Sequence, residues 1–315
     1  MDTAFEVRDV TNDSAAVTSF IDQACEEFYL SKTGSGSAYS EHLILARDIK
    51  TGELIGACEG NSFFGGAYCS RLAVVREWRY PHARGVGRAL LSTLAAETQR
   101  GPAKAAVLHL CTLDYQGVDY YPRLGFIEDY ILTGLPGGRS ITYFSRPIGE
   151  GTPGGLIDDP VKQQLSGYVI ETINSIEDPS KFASIQENTL RFLRSTFVQH
   201  SLEAINSESG RFSYSFEAVE RSSGKIIGGV TGMGYFGNLV ISLLMVDPEH
   251  RSKGVGSALV NVALQRGKEG CTRCVVETMN FQAPDFYNKK LGFINAGVVR
   301  GFKDGSSLLR FVKDI

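Results

Sequence analysis

The run HRSKGVGSAL, His250 to Leu259, decides how this chain is read. It joins an apolar segment, LVISLLMV (Leu239–Val246), to an amphipathic pattern carried by Ala258, Leu259, Val262 and Ala263. That order is strand, loop, helix. The first backbone N–H groups of a helix have no internal partners, and the helix dipole adds positive character there. An anion docks readily at such a place. Gly254 and Gly256 remove the side chains that would hold a phosphate away, and Arg251 and Lys253 add charge. The loop suits a diphosphate. It does not suit the two commonest phosphate folds. The G-x-G-x-x-G spacing is absent, the loop follows several strands rather than the first, and no GK[ST] stands where a P-loop needs it.

The phrase occurs twice. HARGVGRALL, His82 to Leu91, is its partner, and further blocks repeat in the same order. GELIGACEGNSFFGGAYCSRLAV from Gly52 matches GKIIGGVTGMGYFGNLVISLLMV from Gly224. TLDYQGVDYYPRLGF from Thr112 matches TMNFQAPDFYNKKLGF from Thr278, and GRSITYFSRPI from Gly138 matches GSSLLRFVKDI from Gly305. Separated blocks in a fixed order imply a duplication. Between the copies, RPIGEGTPGGLIDDP (Arg146–Pro160) carries the glycine, proline and acids of a linker. The expected division is an N-terminal domain at 1–148, a linker at 149–166 and a C-terminal domain at 167–315. Each copy reads as α/β: an opening strand, a helix, a run of strands, the glycine loop with its helix, then further strands around a second helical turn.

The 315 residues are 43% hydrophobic and 21% charged, enough for two cores. A net charge of −3 without a basic tract gives no reason to expect nucleic acid. No apolar run approaches the roughly 18 residues of a membrane span, and the N-terminus lacks a secretory apolar core, so the expected setting is cytoplasmic. The six cysteines are scattered among apolar neighbours and read as reduced thiols. Cys271 and Cys274 form a lone CxxC without a second pair, and no metal is expected.

NFQAPDFYNKKLGF (Asn280–Phe293) places Asn280, Ala283, Phe286 and Tyr287 ahead of a Gly-Phe turn. Together with RSKGVGSAL it resembles the GNAT superfamily of acyl-CoA-dependent N-acetyltransferases. The resemblance covers the chain as two tandem domains, each a mostly antiparallel central sheet with flanking helices, and it implies acetyl-CoA bound between two splayed strands. Residues Arg251, Ser252, Lys253, Gly254, Val255, Gly256 and Ser257 would hold the pyrophosphate. The strand through Leu244, Met245 and Val246 would pair with the pantetheine arm, with an amide near Val246 polarising the thioester. Asn280 would bond the arm, and Tyr287 would protonate the departing thiolate. An amine with a pKa of about 10.4 must lose a proton before it attacks. Glu277 is the candidate base, with Glu217 as an alternative and His250 and His42 behind them.

The N-terminal copy keeps Val74, Gly85, Val86, Gly87 and Tyr121. It has Arg84 and Arg88 in and after the loop, and His82 where an arginine or glutamine is expected. Three extra residues separate Val74 from Gly85, and Asp114 and Gly117 replace the asparagine and alanine. This copy is expected either to bind acetyl-CoA without turnover, to serve as a structural partner, or to work on a substrate of its own. The acceptor implied is the primary amine of a small molecule, such as an amino sugar, amino acid or antibiotic. A protein lysine or N-terminus is the alternative within the enzyme class, and a non-catalytic acetyl-CoA sensor the alternative outside it. The duplication would make the monomer an intramolecular pseudo-dimer, with a homodimer the other arrangement.

Overall fold

The structure is a computed structural model that describes residues 4–79, 85–149, 167–205 and 210–315. Most of the expected linker lies outside these residues, as do His82 and Arg84. Among the described residues, fourteen strands form two sheets of seven. In chain order the first half contains β1 (Phe5–Asp9), α1 (Ala15–Thr33), β2 (Ser40–Asp48), β3 (Leu54–Phe63) and β4 (Gly66–Val74). Then come α2 (Val86–Arg100), β5 (Val107–Leu113), β6 (Ile127–Leu135) and β7 (Arg139–Pro147). The second half repeats this with β8 (Tyr168–Asn174), α3 (Pro179–Ile205), β9 (Phe212–Glu220), β10 (Ile226–Tyr235) and β11 (Asn238–Val246). It closes with α4 (Val255–Gly267), β12 (Arg273–Met279), β13 (Ile294–Arg300) and β14 (Ser307–Asp314).

The sheets exchange their opening elements. The first has the order β6-β7-β5-β4-β3-β2-β8, and the second β1-β9-β10-β11-β12-β14-β13. Thus β8 of the second repeat pairs with β2, and β1 of the first pairs with β9. The helices follow their strands: α1 lies on β10 and β11, and α3 on β2, β3 and β4. The units divide in sequence order along the chain but interlock in space. Duplication makes the two free sheet edges alike, so the choice between them rests on side-chain fit. At Gly229 on β10, the place of a Cβ is taken by Val17 Cγ2 at 2.3 Å and Ile21 Cδ1 at 3.0 Å. The counterpart in the first sheet is Ala57, which packs in a cluster with Phe182 and Leu193 of α3.

Local chemistry sets the helix limits. Asp178 accepts the amide of Lys181 at 2.9 Å, and Pro179 opens α3 with its φ already helical. Gly34, at φ 70°, ends α1 with its amide on the Leu30 carbonyl. Helices α2 and α4 cover the outer faces through Leu90, Leu91 and Leu94 and through Val255, Leu259 and Ala263, all almost fully buried. Each such leucine or valine contributes about 1.5–3 kcal/mol of burial. Between the sheets, Tyr143, Leu113 and Leu132 meet Val275, while Phe64 and Tyr29 meet Met279 and Phe302.

Candidate active site

Within each otherwise antiparallel sheet one pair of strands is parallel, and that pair opens into a fork. Strands β11 and β12 pair from Asn238↔Arg273 to Ile241↔Val276 and then separate. Strands β4 and β5 pair from Gly66↔Val107 to Cys69↔Leu110 and then separate. A β-bulge lies at each fork, placing an exposed serine, Ser242 or Ser70, where the register shifts.

The open edge of β11 follows from its hydrogen bonding. The Asp247 amide bonds the Ile227 carbonyl at 2.9 Å, so the next pair in register, Gly228↔Val246, is a non-hydrogen-bonded one. Leu244 and Val246 therefore turn their amides and carbonyls away from β10 and into the gap. Met245 turns its own back into the sheet. Arg251 donates from Nε to the Val246 carbonyl at 3.0 Å and tethers the loop to the end of that edge. The guanidinium also lies 5.7 Å from the Phe28 ring of α1, so the first repeat's helix touches the second repeat's loop.

The gap leads to the start of α4. Gly254, at φ 89°, is the N-cap, and neither a side-chain cap nor a first-turn acid occupies the free amides. Ser252 is also left-handed, at φ 62°. Ser252 and Lys253 are exposed, while Val255 is buried beneath the turn. A Cβ on Gly256 would meet the Phe286 ring at 3.3 Å, and the buried Ser257 Oγ has no partner among the described residues. Uncapped amides, an orphaned hydroxyl and a glycine cradle fit a phosphate-bearing ligand.

Tyr287 belongs to a five-residue π-helical turn, Phe286–Lys290. The first repeat has one residue fewer here and makes a 3-10 turn, Pro122–Leu124. Insertions of this kind recur at functional sites. The Tyr287 ring packs among Phe286, Phe293 and Phe311, and burial raises its phenol pKa well above the ordinary value. The hydroxyl stays protonated at neutral pH, the form an acid needs. Asn280 has a partner already: its Oδ1 accepts the Ser307 amide at 3.3 Å, one step past the Met279↔Leu308 pair of β12 and β14.

Glu277 is the first β12 residue past the fork. Its side chain is 36% exposed and bonded to Nε of Arg310, which is fully buried. Glu217 stands elsewhere. Gly229 separates it in register from Met245, α1 rests on that glycine, and Arg8 lies 4.0 Å away. His250 pairs with Glu220 at 3.4 Å, and His42 is buried in the other sheet against Ser40.

The first repeat's fork has the same construction. Val75 bonds Ile55, so Leu72 and Val74 face the gap, and Arg79 donates from Nε to the Val74 carbonyl at 2.5 Å. Arg79 thus occupies the position of Arg251, and the extra residues follow it rather than precede it. This displaces the sequence expectation for His82. Equal spacing from the strand's last valine, five residues in both copies, was the signal that could have found it. Gly85 caps α2 at φ 79° with no side-chain partner, and Val86 is buried beneath it. A Cβ on Gly87 would meet the Tyr120 hydroxyl at 2.8 Å. Arg88 follows in the first turn of α2, and Asp114 is matched by Arg139 at 3.7 Å.

Among the described residues no cluster of His, Cys, Asp and Glu has a metal-ligand arrangement, and no helix is long and apolar enough to cross a membrane. Residues 178–293 match the acetyltransferase (GNAT) family. Blasticidin-S acetyltransferase of Streptomyces morookaense is 35% identical over 94 residues, which are 29% of this chain and 68% of that protein. An uncharacterized N-acetyltransferase of Methanocaldococcus jannaschii is 40% identical over 75 residues, 23% of this chain and 30% of that one. A crystal structure of an acetyltransferase from Bacillus cereus aligns at 32% identity over 40% of this chain and 91% of its own, with a TM-score of 0.36.

Proposed function

This chain belongs to the GNAT acetyltransferase family, and we propose that its C-terminal cleft moves the acetyl group of acetyl-CoA to the primary amine of a small molecule. The acceptor class proposed is an amino sugar, an amino acid or an antibiotic. The observation that carries the reading is a continuous track: uncapped amides at 254–257, the free β11 edge at Leu244 and Val246, and Tyr287 behind the fork.

Acetyl-CoA supplies an activated acyl group. The chain supplies the rest. Gly254 to Ser257 present amides to a diphosphate, with Arg251 and Lys253 adding charge. Leu244 offers its amide and carbonyl, and Val246 its amide, to an extended amide-bearing arm. An amide of that edge stabilises charge developing on a carbonyl oxygen. Tyr287 delivers the proton a thiolate leaving group needs, and Glu277 receives one from the attacking ammonium. Holding amine and acyl carbon together supplies much of the remaining rate. With the Asn280 Oδ1 bonded to the Ser307 amide of β14, its side-chain nitrogen is left for the arm.

The relative named for blasticidin S supports a small acceptor over a protein chain. The N-terminal cleft is proposed as a structural or cofactor-binding partner. Its Tyr120 hydroxyl stands against Gly87, where the C-terminal copy has the plain ring of Phe286. The test is release of free thiol from acetyl-CoA across a panel of amines including blasticidin S, with mass detection of the product. Coenzyme A binding without turnover on any amine would instead favour a sensor.

A further inference from the structure

Glu277 is one end of a polar chain that crosses between the repeats. Arg310, on β14, donates from Nε to Glu277 and from Nη2 to Nδ1 of His109, on β5, at 3.2 Å. Its guanidinium carbon lies 4.3 Å from the Tyr143 ring and 5.5 Å from the Tyr130 ring. Asp129 Oδ2 stands 3.9 Å from Nη1. His109, Tyr143, Tyr130 and Asp129 all belong to the first repeat. His109 is held neutral, since burial and then Arg310 lower its pKa, so Nδ1 is free to accept. The Tyr68 ring lies tilted against His109 with centroids 5.0 Å apart, and its hydroxyl is 3.5 Å from Cys111 Sγ. Cys111 is the residue past the fork in the first repeat, as Glu277 is in the second.

We infer that Glu277 is the anchor for the acceptor's ammonium group and that Arg310 is its positioning residue, set in place by a cage from the N-terminal repeat. The inference rests on the reading of the C-terminal cleft given above. One carboxylate oxygen is committed to Arg310, and the other remains for an N–H donor. The Tyr143 ring, itself stacked on Tyr130 at 4.4 Å, and the bond to His109 hold Arg310 in place, which fixes the carboxylate at the mouth of the fork.

The test compares two coenzyme A thioethers, aminoethyl and hydroxyethyl, by titration calorimetry on the full chain. The wild type is expected to prefer the ammonium form by about tenfold. Glu277→Gln should bind both equally. Arg310→Met should lose most of the preference and Arg310→Lys regain part of it. Tyr143→Phe, which keeps the ring, should behave as wild type, and Tyr143→Leu should not. Plain coenzyme A should bind all of them alike. No preference in the wild type, or a full preference kept in Glu277→Gln or Arg310→Met, overturns the inference. If neither thioether nor coenzyme A binds, it is the reading of the cleft that fails.

Discussion

Replacing Gly229 by alanine tests the exchange of helices directly. Gly229 has no positive φ, so its backbone accepts alanine and stiffening the unfolded chain stabilises by about 0.4–1 kcal/mol. Against this, the new methyl would sit 2.3 Å from Val17 Cγ2, and overpacking of this kind costs about 1–3 kcal/mol. Net destabilisation of about 1–2 kcal/mol is expected. Val17 is fully buried, and Val17→Ala alone should cost about 2 kcal/mol through lost burial and a cavity. In the double variant the alanine at 229 fills the space that Val17 vacates. The cycle should show a favourable coupling of at least about 1 kcal/mol. Denaturant midpoints of the four proteins, with equal slopes, provide the assay. Residues 17 and 229 belong to different repeats and meet only because α1 crosses over. Additive costs would refute the exchanged arrangement, because α3 would then be the helix on Gly229.

Further outcomes are expected. Tyr287→Phe should slow acetyl transfer strongly while leaving coenzyme A affinity nearly intact; unchanged turnover removes Tyr287 as the acid. Gly256→Trp should block the cradle beneath Phe286 and abolish coenzyme A binding, measured by calorimetry, with undiminished binding contradicting the docking argument. Burial lowers the pKa of His42 to about 4, so the folded state refuses a proton that the unfolded state takes near pH 6.5. Stability should therefore fall as pH drops from about 6.5 to 4, by about 3 kcal/mol at most from this group. His109 acts in the same direction. In urea melts at pH 5 and pH 7, His42→Gln should show a smaller pH difference than wild type, and an equal difference would remove His42 as a source.

The duplication, the mixed α/β architecture and the glycine loops were legible along the chain because each rests on local chemistry. Gly254 and Gly85 lie at left-handed N-caps, and repeats align wherever glycine and aromatic spacing survive. The forks and the place of Tyr287 came from the resemblance. Other features depended on parts of the chain far apart in sequence. Glu277 gave no sign of its partner, because Arg310 is 33 residues away and looks like any strand arginine.

The sequence by itself determined that two like units exist and where each turns from strand to helix, because those choices depend on neighbours within a few residues. Only the tertiary structure decided which sheet each opening strand and helix completes. The two edges offer the same backbone hydrogen bonds, and the distinction comes from packing: a missing Cβ at Gly229 that Val17 and Ile21 fill, across more than two hundred residues of chain. Packing of one sheet on the other places the first repeat's Tyr143 and Tyr130 rings beside Arg310 of the second.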